Sequence, residues 1–140
     1  MTAEMYFDQI GTLSRRIVYH RERLYRMRSE ADAVFSHWGE TVSSGKKDAP
    51  YVRMMERIEE CSEELEKEDK LLAGLQRQAE ETISRLPDEN HRLVLLYRYL
   101  EGMSYMKIAV LMHVDKSTAK RRHASALEKL VLPENPIRIS

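Results

Sequence analysis

Apolar residues divide the chain into two long periodic stretches and a set of short ones. Over residues 2–38, Ile10, Leu13, Ile17, His20, Leu24, Met27, Ala31, Val34 and Trp38 recur at alternating steps of three and four. That spacing predicts one long helix with a coiled-coil seam, ending at Gly39. Periodicity then disappears through Gly39–Pro50, where glycine, serine and proline concentrate and a flexible linker is expected. A second long helix is predicted from about Tyr51 to Arg85, with Met54, Ile58, Cys61, Leu65, Leu72, Leu75, Ala79, Ile83 and Leu86 as its stripe. Pro87 breaks it, because proline disfavours helical backbone in the residue before it, and Asp88 is a natural cap for a third helix running to about Glu101.

After Gly102 the pattern shortens. Ser104 and Asp115 read as N-caps of two helices that meet at a turn of about three residues. Ile108, Ala109, Leu111 and Met112 give the first an apolar face. Ala119, His123, Ala126, Leu127 and Leu130 give the second its buried side and leave Lys116, Ser117, Thr118, Lys120 and Arg121 outward. A short helix, a tight turn and a longer basic helix form a helix-turn-helix, whose second helix fits the DNA major groove. Pro133 and Pro136 close the periodic region, so residues 133–140 are expected to be a tail. The predicted fold is all-α, a long antiparallel hairpin over residues 1–85 with its linker at 39–50, then a three-helix DNA-binding domain over 86–132.

Charge sharpens this picture. The formal net charge is zero, yet residues 1–85 carry 14 Lys and Arg against 17 Asp and Glu, and residues 86–140 carry 9 against 6. A neutral total therefore does not exclude nucleic acid. Residues 15–28 hold six arginines and one glutamate, and residues 59–69 hold seven acids and one lysine. Folding back at the linker sets Trp38 opposite Tyr51 and lays the arginine stretch along the acidic one. It also places Asp69 near His20, the polar member of the first seam, and predicts a register-fixing His20–Asp69 contact. Phe7, Val18, Tyr25 and Phe35 fall outside that seam, which predicts a second contact surface and a homo-oligomer formed through the N-terminal helices.

Other chemistry is not expected. Cys61 is the single cysteine and lies on the apolar stripe, which suits a buried thiol. His20, His37, His91, His113 and His123 lack metal-ligand spacing, and neither a glycine-rich phosphate loop nor a nucleophile elbow occurs. Neither an enzyme, a metal nor a cofactor is expected. No opening segment reads as a signal peptide and no apolar run reaches membrane-spanning length, so a cytoplasmic location is expected.

Several of these residues carry a family resemblance. Leu86-Pro87, the run Leu93 to Tyr99, Gly102-Met103-Ser104, Ile108-Ala109 and Ala126 to Leu130 occur in the order found in the fourth region of bacterial RNA polymerase sigma factors. The segment Leu86–Leu132 resembles that helix-turn-helix, which reads the upstream promoter element. The arrangement with a long helical N-terminal half is also similar to small phage and prophage transcription regulators of Gram-positive bacteria. Four positions depart from the sigma pattern. His113 stands where a turn glycine is usual, Lys107 replaces the capping-box glutamate, and Ala119 and His123 replace larger aliphatic residues.

The resemblance implies that Lys116, Ser117, Lys120 and Arg121 face bases, and that Ser104, Lys107, Thr118 and Arg122 lie near phosphates. Arginine and lysine suit guanine O6 and N7, while phosphate contacts position the domain without reading sequence. It implies a sequence-specific, phage-derived transcription regulator whose partner is double-stranded DNA, with RNA polymerase as a further candidate. Regions that open promoters have no counterpart here. Two rivals are a phage terminase small subunit, which also joins a helix-turn-helix to oligomerising helices, and an adaptor that binds polymerase in place of DNA.

Overall fold

The computed structural model describes residues 1–39 and 45–140, with side chains for 1–36 and 50–140. The fold among them is all-α. Helix α1 runs Ala3–Gly39, α2 Gly45–Ser84, α3 Glu89–Leu95, α4 Tyr105–Met112 and α5 Lys116–Lys129, with one π-helical turn, Leu96–Leu100, continuing α3. The expected start of α2 at Tyr51 is corrected to Gly45, which shortens the linker. Pro50 lies inside the helix, near its start. A proline there removes one i→i−4 hydrogen bond, so sequence punctuation alone overstated the break. The side chains of Trp38, Lys46 and Lys47 lie outside the described residues.

The chain forms two compact units, Arg15–Lys70, and Met1–Ser14 with Leu71–Ser140. In the first, α1 and α2 pair antiparallel through Ile17, Leu24, Ala31, Ile58 and Leu65, all buried at expected seam positions. Met27, Val34 and Cys61 are half-buried on the same seam. The predicted His20–Asp69 contact is corrected by one residue. His20 Nδ1 meets Glu68 Oε1, while Arg21 reaches Asp69 at 3.1 Å. The side chain of Glu68 is 16% exposed and that of Asp69 45%. The inward carboxylate at that level is therefore Glu68, and Asp69 turns outward to the arginine.

In the second unit, Tyr6, Phe7 and Ile10 from α1 join Leu75, Ala79 and Ile83 from α2 in one core with Val94, Leu95, Ile108, Ala109, Ala119, Ala126 and Leu130. Phe7 is not a leftover surface residue. It is fully buried and stacks on Tyr99, with ring centroids 4.9 Å apart.

Residues 133–140 do not trail away either. Gln78 accepts from Ile137 N (2.9 Å) and donates to Asn135 O (3.0 Å). Gln9 accepts from Ile139 N (2.8 Å) and donates to Ile137 O (3.0 Å). The prolines end α5, but the backbone beyond them satisfies its polar groups on two glutamines while Ile137 and Ile139 pack on the core.

Candidate nucleic-acid interface

Each helix of the C-terminal module starts on a side-chain cap. Asp88 accepts from Asn90 N at 2.8 Å and His91 N at 3.3 Å, and Ser104 accepts from Lys107 N at 3.2 Å. Asp115 accepts from Thr118 N at 2.8 Å and from Ser117 Oγ at 3.2 Å. Hydrogen bonds from Thr118, side chain first and then backbone, followed by Ser117, hold the Asp115 carboxyl below the usual carboxylate range. The cap therefore stays ionised at neutral pH, the form that best satisfies free amides at a positive helix end.

The turns need left-handed backbone. Gly102 has φ 65° and closes the π turn before α4. His113 has φ 56° and ψ 42°, the conformation expected of the turn glycine it replaces. Its N–H donates to Val110 O (3.3 Å) and Val114 N–H to Ala109 O (3.0 Å), the paired bonds of a Schellman ending. Residues 113–115 make the three-residue turn, and α5 then packs on both α3 and α4.

The inner face of α5 explains its small residues. Ala119 and Ala126 are fully buried where larger side chains would separate the helices, and His123 is 7% exposed. Tyr99 OH lies 2.7 Å from His123 Nε2 and Tyr105 OH 3.1 Å from Nδ1, so a neutral imidazole uses one nitrogen as donor and the other as acceptor. Burial, with the nearby Arg98 charge, pushes the His123 pKa down, and burial pushes the Tyr99 hydroxyl up. The guanidinium of Arg98 stacks over Tyr105 at 4.2 Å and donates to Met103 O at 3.0 Å, tying the π turn to the start of α4.

The outer face carries the residues singled out from the sequence. Lys116, Ser117, Lys120 and Arg121 are all exposed on the first half of α5, and Ser104 and Lys107 are exposed at the start of α4. Thr118 and Arg122 are half-buried at the flanks. Local bonds preset two of these groups, since Arg121 Nη2 donates to Thr118 Oγ1 at 3.1 Å and the Ser117 hydroxyl is held by Asp115. The ammonium groups of Lys107 and Lys116 have no partner among the described residues. Leu111, assigned to the inner face of α4, is instead 45% exposed, and Met106 and Val110 are exposed beside it. The left-handed ending at His113 turns the chain toward α5 along Ile108, Ala109 and Met112, leaving Leu111 on the outer edge.

Sequence reasoning missed how far this module's core extends. Tyr6, Phe7, Gln9 and the end of α2 support it, and an unbroken apolar stripe in each long helix conceals the change of packing partners. The alternation of Ile137 and Ile139 was the available signal for the C-terminal segment.

Residues 76–130 match the family model described as sigma-70, region 4, a span that includes the last turns of α2 as well as the three-helix module. The match supports a DNA-binding helix-turn-helix role for this segment, because the family it resembles is one of DNA-binding domains and not of enzymes. No curated protein and no solved structure matches the chain significantly. Among the described residues no helix is long and apolar enough to cross a membrane.

Proposed function

Starting from a sigma region-four helix-turn-helix at residues 76–130, we propose that the chain is a sequence-specific transcription regulator of double-stranded DNA, phage-derived and acting in the cytoplasm. The single observation that carries this reading is the first half of α5. Lys116, Ser117, Lys120 and Arg121 stand exposed on one face of a helix whose opposite face is locked into the core by Ala119, His123 and Ala126. A recognition helix needs both properties, rigid support behind and long polar side chains in front. Lys107 and Ser104 at the start of α4, with Thr118 and Arg122 beside the recognition face, serve as phosphate contacts. RNA polymerase is a second partner under this reading, and the N-terminal helices join copies of the chain.

A test is selection of bound fragments from host and phage DNA by the full chain, followed by anisotropy titrations of the recovered duplex and a scrambled one. A shared motif bound at least tenfold more tightly than the scrambled duplex is expected. Equal binding to both, or none, overturns the regulator reading. One observation favours a second reading, an adaptor that binds polymerase in place of DNA. Met106, Val110 and Leu111 expose apolar surface on α4, an uneconomical face to leave in water beside phosphates. Binding to purified polymerase that persists at high salt, with no duplex bound, favours the adaptor. A terminase-type role instead predicts a ring-sized mass in light scattering.

A further inference from the structure

Unit Arg15–Lys70 consists of two helices sharing one seam, so each flank of the pair is open. One flank is not polar as an open flank would be. On α1, Val18, Arg21, Tyr25, Arg28 and Phe35 recur at steps of three, four, three and seven, a second stripe beside the seam. Val18 is 53% exposed, Tyr25 74% and Phe35 59%. The stripe faces the side of α2 that meets it through Arg21–Asp69 and through the Phe35 and Tyr51 rings, 5.6 Å apart. Met55 and Val52 are exposed along α2, and Glu59 lies on the flank shared with Met55 and Asp69. Arg28 and Glu59 have no ion-pair partner among the described residues.

We propose that this flank is where a second copy of the chain packs, completing a four-helix bundle from two hairpins. The occupant follows from the pattern of charge. Arg21 and Arg28 lie on the α1 edge, with Asp32 on the same stripe between Arg28 and Phe35, and the acids Glu59, Glu66 and Asp69 lie on the α2 edge. A twofold axis along the hairpin sets each α1 over the α2 of the other copy and keeps every residue at its own level. With His20–Glu68 and Arg21–Asp69 at one end and Phe35–Tyr51 at the other, the register brings Arg28 within one helical turn of Glu59, and Phe35 within one turn of Val52 and Met55. Stacking two copies therefore brings each Arg28 to the other copy's Glu59 and each Phe35 to the other copy's Val52 and Met55. Polymerase or a lone peptide has no reason to mirror this sequence of charges, whereas the chain itself mirrors it level by level. Tyr25, between the two arginines, is the side chain best placed to lose its water at the centre.

This face deepens the self-association part of the proposed function, and its test needs no DNA, so it stands or falls apart from the regulator reading. Sedimentation equilibrium of the full chain at micromolar concentration is expected to give a dimer. Monomer throughout, or a higher-order mass, overturns the proposal. Tyr25→Glu, on an exposed position, is expected to raise the dimer dissociation constant about tenfold or more while the far-ultraviolet dichroism stays that of the folded chain. An unchanged dissociation constant overturns the face. Arg28→Glu and Glu59→Arg should each weaken the dimer, and the double variant should recover it to within about threefold of the native chain. Failure of that exchange to restore association overturns the pairing. A chain that dimerises in this way but shifts no duplex supports this face and argues against DNA reading.

Discussion

His113 and His123 show how single residues set the properties of the module. His113 occupies left-handed backbone, where a side chain costs roughly 1 kcal/mol. His113→Gly is expected to raise stability by about 0.5 to 1 kcal/mol and His113→Val to lower it by more than that, read from urea midpoints. His123 predicts a pH dependence. Its folded pKa is depressed by burial, so the unfolded chain binds the proton more readily. The neutral ring's contribution is complete above the unfolded value, near 6.5, and is lost as pH falls below it toward the folded value. Urea midpoints should therefore fall between about pH 7.5 and 5.5, and His123→Gln, whose amide also offers a donor and an acceptor, should flatten that fall. A midpoint that does not change with the substitution removes His123 from the explanation. His91 is a contrasting case, because its ring is 7% exposed and Nδ1 has no partner among the described residues. Nothing in the structure explains why an apolar residue is not used there.

At the scale of elements, α4 and α5 were legible because their ends are written in side chains. Ser104 and Asp115 cap as expected, and the left-handed turn falls on His113. The spacing of α4 does not reveal which edge α5 covers, and by spacing alone Leu111 belongs to the inner face. The start of α2 at Gly45 departs from the expected Tyr51 for a different reason. Gly45 to Pro50 has the composition of a loop, yet only one helical hydrogen bond is forfeited at Pro50. These two helices also carry the functional prediction. Arg121→Ala is expected to cost about 1 to 3 kcal/mol on the selected site and to relax preference at one base pair. Lys107→Ala should weaken all duplexes alike and reduce the salt slope by about one. Anisotropy titrations across a salt series separate the two outcomes. If both variants bind with the native affinity and slope, α5 is not reading DNA.

At the scale of the whole molecule, the sequence showed two long helices and a helix-turn-helix but not that both ends of the chain enter the module's core. Hydrophobic periodicity reports which face of a helix is covered and not by what. A helix that changes partners along its length keeps an unbroken stripe, as α1 does between Ile10 and Ile17 and α2 between Leu65 and Leu75. The C-terminal segment was unreadable because its order depends on Gln9 and Gln78, more than fifty residues away in sequence, and not on its own propensity. Gln78 also accepts from Tyr6 OH at 2.8 Å, so one side chain joins α1, α2 and the segment after α5. Gln78→Ala leaves the Tyr6 hydroxyl and the Ile137 amide without that acceptor and is expected to cost about 1 to 3 kcal/mol. Ending the chain at Leu132 uncovers the apolar surface beneath Ile137 and Ile139 as well, so a larger loss of about 2 to 4 kcal/mol is expected. Both changes lie away from α5. If the segment acts only by holding the core, the truncated chain will bind DNA with native affinity wherever circular dichroism shows it folded. A weaker affinity in the fully folded truncated chain would instead mean that residues 133–140 touch DNA themselves, with Arg138 the side chain to examine first.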